Sequence, residues 1–196
     1  MMRAAISLAV VSLLCGCAGS TAEPSGPPVD TTSPLYAPNF LSMAGSSDQF
    51  EIQSGQLAQQ RSQDQRIRQI GQTLVADHTN STQQLLAAAQ AAGITPPPPQ
   101  MTPEHAQMLS QLQAAGPGQF DAAFRSIQIQ AHQQALALHQ NYAAGGDVPA
   151  LRTVATNIVP VVQNHLNMLQ GLALSPVMQN MPAPVYEQPA RPGERG

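Results

Sequence analysis

The chain contains no lysine and no tryptophan, and only 10% of its residues are charged, against about 25% in an ordinary soluble domain. All eight basic residues are arginines, and the formal net charge is -3. A nucleic-acid binder carries a basic patch or stripe, so this balance excludes that class. Aromatic residues are scarce as well: three Tyr and four Phe. Two cysteines, both close to the N-terminus, cannot build a disulfide scaffold. No apolar run reaches the roughly 20 residues that span a bilayer, which excludes a polytopic membrane protein. What is present is a 42% hydrophobic content, sufficient for a core and too high for wholesale disorder. It leans on Ala and Leu, the polar content leans on Gln, and both favour helix. A length of 196 residues sets one domain, or two small ones.

The first residues read as an export signal. Arg3 supplies a positive start and Ala4 to Leu14 an apolar run of the length of a signal core. The next residues, Leu14-Cys15-Gly16-Cys17, resemble the bacterial lipoprotein box. The resemblance implies cleavage after Gly16 (residues 1–16 being the signal peptide) and lipid attachment at Cys17. Ala18, where an inner-membrane protein of this type carries Asp, implies the outer membrane on its periplasmic side. Several acyl chains on one cysteine anchor stably where a single chain does not. The alternative is an ordinary export signal with one free cysteine.

Proline divides the rest. Five prolines lie between Glu23 and Asn39, five between Thr95 and Glu104, and five after Ser175. Residues 17–39 therefore read as a Ser/Gly/Pro-rich tether, 40–174 as the folded domain and 175–196 as a Pro-rich disordered tail. Within the domain, apolar spacing of three and four residues predicts helices from Phe40 to Gln60, Asp64 to Gly93, Gln119 to Ala144, and from Asp147 to beyond Leu169. Asp147 is the expected cap of the last of these, and Pro160 should kink it. Thr102-Pro103-Glu104 has the form of a cap, a first-turn proline and an acidic first turn, opening a short helix to Ala115. The fold class is all-α: a four-helix bundle whose long crossover, Gly93 to Gly118, contains a short extra helix.

Four ionisable residues fall inside apolar stripes, one on each long helix. His78 lies four after Leu74 and seven before Leu85; His165 lies seven after Ile158 and four before Leu169. Glu51 sits seven after Ala44 and seven before Ala58, and His132 lies between two apolar edges of its helix. A buried carboxylate needs a partner or a proton, and imidazoles nearby would supply one. Three imidazoles and a carboxylate also form a first shell for a single transition-metal ion, Zn, Fe, Mn or Cu. Glu51, His78, His132 and His165 are thus candidate metal ligands, though a histidine on an apolar face is more often simply a core residue. Asp77 and His105 are expected at the surface, Asp121 at its helix start suits the dipole, and His139 fits either face. Gly55 and Gly71 inside helices mark a close helix approach or tolerated defects. No phosphate loop, nucleophile elbow, zincin helix or ordered triad occurs, so no catalytic residue is assigned.

The order of these features resembles a bacterial family of exported proteins, domain-of-unknown-function family 4142. The residues that carry the likeness are Phe40-Leu41, Glu51 followed by Gly55-Gln56-Leu57-Ala58, Leu74 to Thr79 with its Asp77-His78-Thr79 turn, Phe120 to Phe124, His132, and Val159-Pro160 before His165-Leu166. The resemblance covers residues 40 to 173 and implies a ferritin-like bundle in the envelope, while it points to no particular activity. A ferritin-like di-iron site takes Glu-x-x-His on two helices, whereas Val75, Ile129 and Val162 stand three residues before the histidines; this argues against a carboxylate-bridged di-iron centre. The leading expectation is a non-enzymatic binding or envelope-associated module, with a metalloenzyme using a mononuclear Glu/His site and a purely structural protein as alternatives. Its partner is the membrane, through the lipid, and not nucleic acid. A Cys17→Ser variant is expected to lose acyl labelling and to leave the membrane fraction; retained labelling would put the lipid on another residue.

Overall fold

A computed structural model describes residues 30–98 and 100–172. The signal, Cys17, the first part of the tether and the whole of the tail lie outside the described residues. Among the described residues the elements are five helices: α1 Ala37–Arg61, α2 Gln65–Ala91, α3 Pro103–Ala114, α4 Phe120–Gly145 and α5 Pro149–Gly171. Local chemistry explains the ends. The Asp64 side chain accepts from the backbone N–H of Arg66 at the start of α2, and Thr102 accepts from that of His105 at the start of α3. Pro38, Pro103 and Pro149 occupy first-turn positions, where a missing N–H costs no helical bond. At the end of α2, Gly93 takes a φ of 71°, a left-handed conformation that suits glycine. The expected cap of the last helix is corrected: Val148 occupies that position, and Asp147 instead accepts from the Tyr142 hydroxyl at 2.9 Å. Helix α5 runs through Pro160 without a break in its assignment. Among the described residues, no helix is long and apolar enough to cross a membrane.

The four long helices close into a ring in which α1 packs on α2, α2 on α5, α5 on α4 and α4 on α1. Contacts between ends define the directions. Phe40 at the start of α1 stacks on Tyr142 at the end of α4, with centroids 3.8 Å apart. At the opposite end, the Arg61 guanidinium lies 4.8 Å from the Phe120 ring centroid. The helices α1 and α4 are therefore antiparallel, and α2 and α4 are diagonal and parallel, which forces the connection between them to travel the length of the bundle. The crossover does so along α1. Its helix α3 starts beside Ser46, whose hydroxyl accepts from the Thr102 N–H at 2.7 Å. It ends beside Arg61, which donates to the carbonyls of Leu112, Gln113 and Ala115. This is a four-helix bundle with one long crossover.

The core is two apolar clusters. One, at the Arg61 end, includes Phe50, Leu74, Met108, Phe124 and Leu169. The other includes Phe40, Leu85, Tyr142, Leu151 and Val162. Near the first, α1 and α2 come close enough to exclude side chains. A Cβ on Gly55 would lie 2.6 Å from the Gly71 carbonyl oxygen, and one on Gly71 would lie 2.5 Å from that of Gly55. Gly55 and Gly71 are there for backbone approach. Gly55→Ala and Gly71→Ala are each expected to cost roughly 1–3 kcal/mol in urea denaturation. Gly45→Ala, whose Cβ meets nothing within 4 Å, should instead be neutral or gain up to about 1 kcal/mol from the helical preference for alanine. Equal effects at all three positions would contradict the close approach.

Candidate metal centre

All four inward residues of the sequence reading are buried, and the three histidines converge. Ring centroids are separated by 5.8 Å for His78 and His132, 5.5 Å for His78 and His165, and 5.4 Å for His132 and His165. One nitrogen from each ring lies within 4.8 Å of those of the other two. Glu51 is beside them but stands apart from this set: its Oε1 lies 3.5 Å from Nδ1 of His132, the nitrogen on the far side of that ring from His165.

The hydrogen bonds fix which nitrogen faces inward. Nδ1 of His78 is 2.8 Å from Oδ1 of Asp48. Nε2 of His165 is 2.9 Å from Oδ2 of Asp77. Nδ1 of His132 is 2.9 Å from the Gln128 carbonyl. Carboxylates and carbonyls only accept, so each of these three nitrogens carries the proton and donates. In the neutral rings, Nε2 of His78, Nε2 of His132 and Nδ1 of His165 are left as bare acceptors. Nε2 of His132 and Nδ1 of His165 sit 3.4 Å apart, and Nε2 of His78 has no hydrogen-bond partner. Metal-bound histidines characteristically donate their other N–H to a carboxylate or a backbone carbonyl, which locks tautomer and ring orientation. Nitrogens held at about 2.0–2.1 Å from one ion lie roughly 3.3–4 Å apart. The His132–His165 pair has that spacing, and a shift of about 1 Å would bring the widest separation into it. The donor set fits a metal ion.

Burial dominates the electrostatics. It pushes His132 down to about 3, with the charges of His78 and His165 adding to the effect. His165 is also lowered by burial, against the opposing Asp77 hydrogen bond. Burial works against charge on His78 too, but the Asp48 hydrogen bond and the neighbouring carboxyl groups outweigh it and raise its pKa. Glu51 is pushed up to about 8 by burial, against the opposing charge of His78 and the Gln128 side-chain amide. At pH 7 Glu51 and His132 are both neutral, so their 3.5 Å approach is not an ion pair.

The supporting residues were the harder ones to see in the sequence. Asp48 lies four after Ala44 and three before Glu51, on the same stripe of α1, and this spacing is its signal. Its second oxygen accepts from the Thr82 hydroxyl at 2.9 Å. Gln128, four before His132, donates to Ser54 at 2.7 Å and joins α4 to α1. Asp77 combines two roles: its side chain is 42% exposed, yet it holds His165. His105 is corrected from the surface to a half-buried place, 2.6 Å from the Ser46 hydroxyl and stacked on Phe50. His139 faces inward, edge-on to Phe40, outside the converging set; burial lowers it to about 4. Asp121 is in the first turn of α4 as expected, but buried, with Oδ1 lacking a partner.

The chain belongs to the family described as Domain of unknown function (DUF4142), whose match spans residues 22–172. No curated protein sequence matches it. Among solved structures it is similar to CopM in the Cu(II)-bound form, with a TM-score of 0.60 and 18% identity over 69% of this chain and 93% of that one. CopM in an Ag-bound form gives 0.58 at the same identity and coverage. A DUF305 fragment from Deinococcus radiodurans gives 0.60 at 20% identity, over 71% of this chain and 95% of that one. At these identities the likeness is one of fold.

The buried carboxyl leaves a signature in the pH dependence of stability. Glu51 has an ordinary pKa of 4.5 and a folded one of about 8. The folded state therefore holds the extra proton, and stability falls as pH rises between those values, by at most roughly 1.4 kcal/mol per pH unit. His132 acts in the other direction. It stays neutral in the fold down to about 3 against an ordinary 6.5, so stability falls as pH drops below that ordinary value. Urea denaturation with a chelator present should show the greatest stability at mildly acidic pH and a decline between about 6.5 and 8, where Glu51 still acts and His132 no longer does. The raised pKa of His78 adds to that decline, so Glu51→Gln should reduce it rather than remove it, and a native protein that is equally stable at about pH 6.5 and pH 8 would refute the assignment.

Proposed function

We propose that this chain is an outer-membrane lipoprotein, anchored through Cys17 on the periplasmic side, whose bundle holds one transition-metal ion between His78, His132 and His165. The observation that carries the reading is the orientation of the three rings. Each outer N–H is tied to an acceptor, and three inner nitrogens are left facing one another in a buried space. Bare lone pairs that face each other repel, and an unsatisfied buried acceptor costs about 1–3 kcal/mol. A cation relieves both. The structural likeness to CopM, solved with Cu(II) and with Ag, supports a metal in a bundle of this shape.

The donors indicate the kind of ion. All three are imidazole nitrogens, with carboxylates behind two of them, a set suited to Cu(II), Zn(II), Ni(II) or Co(II). Among the described residues sulfur, which selects softer monovalent ions, lies elsewhere: Met43 is exposed, Met108 belongs to the core cluster at the Arg61 end, and Met101 and Met168 pack against that cluster. Glu51 stands at the outer nitrogen of His132 and, being neutral at pH 7, adds no charge to the site. With His132 and His165 shut away from solvent, the arrangement favours holding an ion over turning over a substrate.

Protein purified without a His tag or chelator and equilibrated with Cu(II) or Zn(II) should retain one ion per chain. A His78→Gln/His165→Gln double variant should retain none. Binding should also raise stability, by about 2.7 kcal/mol when free metal is a hundredfold above Kd. A stoichiometry near zero with Zn, Fe, Mn and Cu alike would overturn the reading.

A further inference from the structure

The two carboxylates that hold the histidines are placed very differently. Asp48, behind His78, is buried with its side chain 4% exposed, whereas the side chain of Asp77, behind His165, is 42% exposed. The His165 ring itself is buried. It touches Asp77 through Nε2 and faces His132 through Nδ1. One imidazole thus bridges a carboxylate in contact with water and the inner nitrogens, at the seam where α2 meets α5. On the Asp48 side, the group that continues outward is the Thr82 hydroxyl, which carries no charge.

Resting on the metal-holding reading above, we propose that the Asp77–His165 pair is the entrance of the site. Asp77 draws a divalent cation from solvent, and His165, released from its carboxylate, passes it inward by turning its ring. Asp48 has no part in capture and only positions His78. The distinction is kinetic. A charge exposed at an entrance acts on the association rate and makes it depend on salt. A buried charge that orients a ligand acts on dissociation.

Stopped-flow mixing of the full chain with Cu(II), followed by the absorbance of the imidazole complex at several ionic strengths, separates the two. Asp77→Asn should lower the association rate at least about threefold at low salt and flatten its salt dependence. Asp77→Glu, which keeps the charge, should restore both. Asp48→Asn should leave the association rate within about twofold while speeding dissociation. Thermal melts of each variant verify that it is folded. A native association rate matched by Asp77→Asn, or an Asp48→Asn variant slowed as much as Asp77→Asn, would overturn the entrance. If the native protein takes up no Cu(II) at all, the metal reading fails instead.

Discussion

Three imidazole nitrogens point at one another inside the bundle, and the surrounding structure is arranged to keep them so. Each ring is held from behind: His78 by Asp48 of α1, His165 by Asp77 of α2, and His132 by the Gln128 carbonyl of its own helix. These bonds also tie helix to helix. Asp48–His78 joins α1 to α2, Asp77–His165 joins α2 to α5, and Gln128–Ser54 joins α4 to α1. Three of the four seams in the ring of helices carry a hydrogen bond at this level, and at the fourth, between α4 and α5, His132 and His165 face each other.

That level separates the two apolar clusters. On α1 it falls between Ala44 and Ala58, on α2 between Leu74 and Leu85, on α4 between Ala131 and Ala135, and on α5 between Val162 and Leu169. A polar layer in the middle of a core costs desolvation that an apolar layer would not. In return, sliding one helix by a turn would strand its imidazole among aliphatic side chains, an outcome that leaves a buried polar group unpaired. The layer thus fixes the register of helices whose surfaces are otherwise dominated by interchangeable Ala, Leu and Gln. Steric contact does the same work nearby, where the Gly55 and Gly71 backbones meet.

The helices were legible because their signals are local. Asp64, Thr102 and Pro103 sit at the boundaries that their chemistry predicts, whereas α1 begins at Ala37, inside the stretch read as tether, and the spacing of Leu74, His78 and Leu85 places His78 inside before any coordinates are seen. The convergence of His78, His132 and His165 was legible only as a count of one inward group per helix, because which helices are neighbours depends on the crossover. Two features were beyond local patterns. His105 lies on a short helix whose periodicity says nothing of the Ser46 hydroxyl and Phe50 ring that cover it. Asp77 is partly exposed, as its position beside the stripe suggests, and its bond to His165 arises only where α2 and α5 are packed together.

On the metal-holding reading proposed above, the charge at the site would favour a divalent ion over a monovalent one. In a chain with eleven acidic residues, three stand in or beside the polar layer: Asp48, Glu51 and Asp77. Burial removes the charge of Glu51 at pH 7 by raising its pKa to about 8, which leaves the two aspartates that receive imidazole N–H bonds. Neutral imidazoles add nothing, so the layer carries an excess of negative charge that two positive charges on one ion would balance. A proton on His78, the one ring whose pKa is raised, would offset part of it, but it would place an N–H where Nε2 has no acceptor. A metal ion would supply the charge without that N–H and would use the lone pair in its place.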